Sequence, residues 1–208
     1  MTNYIRLHQV VFHTKVLGPG MRAAIWLQGC KRRCKGCMSP ASRPLHGGTL
    51  AGISSVANAI LSLEDIEGIT VSGGEPFLQP EALCTLLGMI REKADLGVII
   101  YTGYTHEQLR QMQNRYIDQI LDELTDLLID GEYVDELNDG KSLRGSSNQR
   151  ILYLTDRYLP YKDIYDAEVR NVEAMISERE VFFVGIPNRE TWNQWESVVN
   201  GFDPETIE

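Results

Sequence analysis

Cys30, Cys34 and Cys37 stand within eight residues, in the run Gly29-Cys30-Lys31-Arg32-Arg33-Cys34-Lys35-Gly36-Cys37. Thiolates are soft ligands and select iron–sulfur clusters, zinc or copper(I) over hard ions. A closed structural site fills every coordination position, whereas a reactive site keeps one open. A C-x3-C-x2-C loop with no fourth Cys or His nearby therefore points to a four-iron cluster with one iron free for a substrate. Two plainer readings stand beside it: a zinc site completed from afar, and three reduced thiols without a metal.

A second candidate is the turn Ser72-Gly73-Gly74-Glu75-Pro76. It follows a short β-branched run, at the kind of strand end where ligands gather in α/β folds. Two glycines permit close approach, and Glu75 with local carbonyls offers acceptors for an ammonium group. Taken alone this is a plain turn; beside an open iron it becomes the other half of a site for a molecule carrying both an amine and a carboxylate. The remaining conspicuous side chains read as structural. Cys84 lies among Leu83, Leu86 and Leu87 and reads as a small buried hydrophobe. The exceptions are His8 and His13, either of which could stand near the ligand site, although spacing alone is a weak signal; His46 reads as solvated, and His106 as a helix-start residue. Trp192 and Trp195, three apart on a predicted helix, fit one buried face, with contact to a partner as the other reading.

These residues need a scaffold, and the chain alternates strand and helix patterns. Arg22 to Leu27 reads as a strand entering the cysteine loop, with a polar, glycine-containing segment behind it from Ser39 to Gly52. Ser55 to Ile66 has apolar residues on one helical face, and Ile69 to Ser72 is a second strand. Pro80 to Ala94 reads as a helix, with Pro80 in its first turn and Leu83, Leu86, Leu87 and Ile90 on one face. Val98 to Tyr101 is a third strand, and Thr105 can cap the helix after it. Leu127 to Asp130 and Arg150 to Tyr153 complete the strand set. This spacing predicts a parallel α/β architecture. Beyond Pro160, Ile164 to Ile176 is predicted helical, Glu180 to Ile186 a strand, and Glu190 to Val199 a last helix. The expected division is a core over 1–154 and a C-terminal β/α extension over 155–208, ending in a frayed acidic tail.

Composition narrows the function classes. The chain has 208 residues, 43% of them hydrophobic, and a formal net charge of −9. That charge argues against nucleic-acid binding, which relies on many phosphate contacts. No apolar run is long enough to cross a membrane, and no signal sequence opens the chain, so a cytoplasmic protein is expected. Four cysteines in this length do not make a disulfide scaffold. Lys31, Arg32, Arg33 and Lys35 reverse the local sign at the cysteine loop. They would favour reduction of a negatively charged cluster and could guide an acidic electron donor, or simply be solvated.

The cysteine triplet together with Gly73-Gly74-Glu75-Pro76 resembles the radical S-adenosylmethionine family. More narrowly, the chain resembles activating enzymes of anaerobic ribonucleoside-triphosphate reductase. The narrower likeness rests on Gly18-Pro19-Gly20-Met21-Arg22, Tyr101-Thr102-Gly103-Tyr104, Leu128-Ile129-Asp130-Gly131-Glu132-Tyr133 and Arg144-Gly145-Ser146-Ser147-Asn148-Gln149-Arg150. It spans about two thirds of the chain, from residue 18 to residue 150.

The resemblance implies a partial parallel β/α barrel in which Cys30, Cys34 and Cys37 hold a [4Fe-4S] cluster. S-adenosylmethionine would chelate the fourth iron through its amine and carboxylate. Gly73, Gly74 and Glu75 would border the amino group; Tyr101, Thr102 and Gly103 would line the adenine or ribose side. Asp130, Ser146 and Asn148 are assigned to the pocket as well, and Arg144, Ser147 and Gln149 to the pocket or a partner surface. The implied chemistry is one-electron cleavage to methionine and a 5′-deoxyadenosyl radical, which takes hydrogen from a backbone glycine of a large reductase. The cofactors carry the central step, so no acid–base residue is assigned. The implied partners are a large glycyl radical enzyme, foremost anaerobic ribonucleotide reductase, and a flavodoxin-like or other low-potential electron donor. Residues past 154 depart from the compact activating enzymes and leave room for another glycyl radical enzyme, or for a peptide or small-molecule substrate. An iron–sulfur electron carrier and a zinc-stabilised interaction module are the non-enzymatic readings.

Overall fold

The computed structural model describes residues 2–141, 143–167, 170–176, 181–188 and 190–194. A long strand, β1 (Tyr4–Thr14), pairs antiparallel with both β2 (Arg22–Leu27) and β3 (Thr49–Gly52). From β2 the sheet continues parallel through β4 (Gly68–Gly73), β5 (Gly97–Tyr101) and β6 (Leu127–Asp130). An antiparallel strand, β7 (Arg150–Tyr153), ends it. The order is β3-β1-β2-β4-β5-β6-β7, a partial β/α barrel with a parallel centre and antiparallel flanks.

The central strands are apolar on both faces because both faces are covered. Along β5, Val98 and Ile100 join the cluster formed with Leu83, Leu86, Leu87 and Ile90, all buried. The last four belong to α2 (Pro80–Arg91), which packs beside α1 (Ile53–Leu61). Ile99, between them, faces the opposite side with Leu127, Ile129 and Tyr158. Thr105 caps α3 (His106–Gln111) in a full capping box with Gln108. Next come α4 (Arg115–Gln119) and a π turn over Ile120–Leu124.

The end of the barrel away from the cysteine loop is held by Arg22, which is wholly buried. Its guanidinium donates to Thr70 Oγ1 (2.7 Å), Ile69 O (2.7 Å), Gly97 O (3.0 Å) and the Tyr158 hydroxyl (2.8 Å), and pairs with Glu67. A buried guanidinium is tolerable only with this many acceptors and a counter-charge. Tyr158 OH also donates to Glu67 (2.8 Å), so the segment just past residue 154 is bonded into the core.

Four features differ from the sequence reading. β1 and β3 were not foreseen. The register of β1 against β2 slips between Leu7 and Gln9, so the strand's alternation breaks at His8. β7 runs antiparallel rather than parallel. The helix predicted over Ile164 to Ile176 is instead a short helix, α5 (Lys162–Ala167), followed by a strand, β8 (Val172–Ile176). β8 pairs antiparallel with β9 (Val181–Gly185) as a separate two-stranded sheet. A short apolar run does not distinguish helix from strand by periodicity, and pairing with the β-branched and aromatic Val181–Val184 decides it. Residues 190–194 are helical as expected; Trp195 to Val199 and the acidic tail lie outside the described residues. Among the described residues no helix is long and apolar enough to cross a membrane.

Candidate active site

The cysteine loop leaves the C-terminal end of β2 and lies against the turn that leaves β4. Gly74 N–H donates to Leu27 O and Glu75 N–H to Gly29 O, both at 2.8 Å. This contact explains the glycine pair. A Cβ on Gly74 would collide with Gly29 O. Gly73 has φ +111°, and a Cβ there would collide with the Leu27 nitrogen. No larger residue fits between the two loops.

Glu75 is buried, and both its oxygens are engaged. It accepts from Thr102 Oγ1 (2.8 Å), Gly103 N–H (2.9 Å) and Phe77 N–H (3.1 Å). Burial pushes its pKa up, against the pull of these hydrogen bonds. Glu75 thus ties the end of β4 to the end of β5 and sets the positions of Thr102 and Gly103.

Between these strand ends lies a cavity of about 300 Å³. Gly73, Gly74, Tyr101, Thr102 and Gly103 line it, together with Cys37 of the loop. Five of the expected cofactor-binding residues therefore meet one cysteine around one space. The other four stand back from its wall. Glu75 does so for the reason just given. Asp130 is buried and accepts from His106 N–H (2.6 Å) and Arg150 Nε (2.9 Å), capping α3 and clamping β7. Ser146 Oγ accepts from Val134 N–H at 3.1 Å, and Asn148 Nδ2 donates to Glu132 O at 2.8 Å. The polar string 144–150 is polar because it fastens itself to the turn after β6. Gln149 shows this most fully: Oε1 accepts from Gly145 N–H (2.8 Å) and Ser146 N–H (3.2 Å), while Nε2 donates to Gly131 O (2.8 Å). Gly145 and Gln149, rather than Ser146 and Asn148, reach the cavity wall.

Of the two N-terminal histidines that carried a weak signal, His8 lies on the cavity wall, and sequence reasoning missed the other wall residues. His8 and Gln9 come from the register slip in β1, Trp26 from β2, and Phe183, Gly185 and Ile186 from the extension. The register slip at His8 is set by pairing with β2, and neither it nor the placement of the extension is a local sequence signal.

The thiols suit a cluster. All four cysteines are free; those of the loop are half-buried and Cys84 is buried. Cys84 Sγ lies 3.2 Å from Gln119 Oε1, inside the core, as its neighbours implied. Burial, reinforced by Glu132 at 3.5 Å, pushes the Cys34 thiol up to about 11; burial also raises Cys30. Such thiols ionise on iron, which replaces their protons. Among the described residues no three His, Cys, Asp or Glu side chains converge on a single ion; a cluster asks instead for one thiolate per iron. The basic loop is partly neutralised from within. Arg32 lies 4.5 Å over the Tyr104 ring and 3.5 Å from Glu132, and Lys35 meets Glu136 at 2.9 Å. Lys31 and Arg33 are exposed.

Comparison with known proteins bears on the same residues. Residues 16–152 match a family described as a 4Fe-4S single cluster domain. The anaerobic ribonucleoside-triphosphate reductase-activating protein of Enterobacteria phage T4 is 30% identical over 160 residues, covering 74% of this chain and 96% of that protein. Its counterpart from Salmonella typhimurium is 30% identical over 159 residues, 72% of this chain and 99% of that protein. The one from Haemophilus influenzae is 34% identical over 143 residues, covering 64% and 88%. The family match stops at residue 152, so the C-terminal segment lies outside it.

Proposed function

This chain belongs to the 4Fe-4S single cluster family and, within it, to the anaerobic ribonucleoside-triphosphate reductase-activating proteins, and from that membership we propose how it works. It cleaves S-adenosylmethionine reductively and generates a glycyl radical on anaerobic ribonucleoside-triphosphate reductase. The observation that carries this reading is the single cavity bordered by Cys37, the Gly73-Gly74 turn and the Tyr101–Gly103 strand end.

Cys30, Cys34 and Cys37 would each hold one iron, leaving the fourth for the amine and carboxylate of S-adenosylmethionine. When bound, the cluster would supply the electron, delivered by an external reductant, and S-adenosylmethionine the carbon radical for hydrogen abstraction from the target's glycine. The chain's own residues orient and enclose. Gly73 and Gly74 admit the methionyl end against bare backbone. Tyr101, Thr102 and Gly103 face the nucleoside, with Glu75 acting behind them as a positioning residue. Asp130, Ser146 and Asn148 support the pocket through the backbone they hold. Exposed Lys31 and Arg33 suit an acidic, low-potential donor of flavodoxin type. Residues 1–154 would form the catalytic core and 155–208 an accessory segment.

The test mixes anaerobically reconstituted protein, the large reductase, S-adenosylmethionine and a reductant. The expected result is iron and sulfide near four each, a cluster resonance altered by S-adenosylmethionine, and a glycine-centred radical appearing with 5′-deoxyadenosine. An unchanged resonance under verified binding would rule out chelation. Cofactor cleavage without a radical on the reductase would reject the pairing and point to another target.

A further inference from the structure

The hairpin β8–β9 lies across the concave face of the barrel. At one flank, Glu173 accepts from Thr14 Oγ1 (2.6 Å) and Lys15 N–H (3.1 Å), at the end of β1. At the other flank, Arg170 Nη1 donates to Gly145 O (3.3 Å) and its backbone N–H to Gly140 O (3.3 Å), in the connection between β6 and β7. Between these ties, Val184 and Ile186 are buried against Val11, Leu17 and Ala24. The hairpin thus forms a wall of the cofactor cavity, where Phe183, Gly185 and Ile186 face inward.

With that side walled, a second hollow becomes important. A groove of about 760 Å³ runs between the cysteine loop and the start of the last helix. It shares Cys37, Met38, Pro40 and Tyr133 with the cavity, so the two hollows adjoin along that wall. Its outer side carries Asn188, Trp192 and Asn193, all beyond the family match. Trp192 also borders a small apolar recess with Phe183 and Pro187.

We propose that this groove, completed by Asn188, Trp192 and Asn193, is the path by which an extended polypeptide segment of the target reaches the cavity. The inference rests on the proposed activase function and assigns the target-recognition surface to the extension. Three properties favour a polypeptide strand as the occupant. The cavity is at the small end of ligand sites, so a macromolecular reactant must enter as a thin segment. The exposed Asn193 carboxamide both donates and accepts, matching the alternating N–H and C=O groups of an extended chain, while Asn188, whose Oδ1 accepts from Thr191 N–H (2.7 Å), fixes the start of the last helix at the groove. An indole beside a small recess gives such a segment one apolar anchor.

The experiment uses the full, cluster-loaded chain and its cognate anaerobic reductase. The variants are Trp192→Ala and the exposed Asn193→Ala. The expected result is a KM for reductase raised about tenfold or more in Trp192→Ala, with kcat less affected. A benzophenone amino acid at position 193 should cross-link to the reductase, and excess reductase peptide spanning the acceptor glycine should suppress the cross-link. Cofactor cleavage without reductase is the control. If the wild-type chain cleaves S-adenosylmethionine but leaves no radical on the reductase, the function reading fails. If wild type activates the reductase, and both alanine variants do so with unchanged KM and no cross-link at 193, the groove inference alone is overturned. Should Trp192→Ala lose its cluster, Asn193→Ala and the cross-link decide the matter.

Discussion

At the scale of single residues, the cysteine spacing points to a cluster, because a chelating loop is a local motif, and the match to a 4Fe-4S family covers it. Cys30, Cys34 and Cys37 to Ser should each abolish S-adenosylmethionine cleavage and lower iron content. Cys84→Ala should keep the cluster and cost only about 1 kcal/mol, as expected for trimming one small buried group. Loss of iron in a folded Cys84→Ala protein would sink the open-site argument. The glycine pair was legible as a turn at a strand end, and it lines the cavity, but the contact that requires glycine there was not legible. Gly74 is required by Gly29 O, 45 residues away in sequence, which no local pattern reveals. Gly74→Ala should therefore push the cysteine loop, at a cost of about 1–3 kcal/mol for overpacking. Iron loading after anaerobic reconstitution, compared with Gly88→Ala, where a Cβ meets nothing within 4 Å, would show it. Equal loading in the two would mean the loop does not depend on this contact.

At the scale of elements, strands and helices were readable wherever period and length agreed, as in α2 and β5. They failed where pairing decided the outcome: β1 with its register slip at His8, and β8, which took strand form against β9. Glu75, Asp130 and Gln149 look like ligand residues in sequence; in the structure they are engaged by backbone groups of neighbouring elements and, for Glu75 and Asp130, by the Thr102 hydroxyl and the Arg150 guanidinium as well. One consequence is testable by pH. Arg150 joins Asp130 of β6 to Glu107 in the first turn of α3 and holds the Glu107 carboxyl down to about 2. A carboxyl with a lowered folded pKa stabilises the protein above its ordinary value and loses that contribution as pH falls through the folded one. Glu107 is exposed, so the effect is small and screened by salt. The urea midpoint of Glu107→Gln should thus fall slightly below wild type at pH 7, and the two should converge as the pH falls toward 2. A difference that persists or grows in acid would contradict the assignment.

At the scale of the whole molecule, the sequence suggests a break near residue 154, and the structure explains why a cut there would mislead. Tyr158 is wholly buried and bridges Arg22 and Glu67 through its hydroxyl, so it belongs energetically to the barrel. Tyr165, also buried, packs in the same cluster. The β8–β9 hairpin depends on the barrel through Glu173, Arg170 and a small apolar contact, and lies across the cavity rather than inside the core. Two truncations should therefore behave differently. Removing residues from 158 onward takes away Tyr158 and strands Arg22 and Glu67 without their shared partner. Lost packing and the buried hydrogen bonds left open on Arg22 and Glu67 should together cost several kcal/mol, seen as a collapse of the thermal transition. Removing residues from 168 onward should leave a folded, cluster-binding barrel whose cavity is open on the concave side. That protein should still cleave S-adenosylmethionine with reductant alone, hold it more weakly for want of Phe183 and Ile186, and transfer little of the radical to the reductase. Full activation by the chain truncated at 168 would show that the extension serves neither the cavity nor the target. Equal loss of stability in both truncations would show that the hairpin is as much a part of the core as Tyr158.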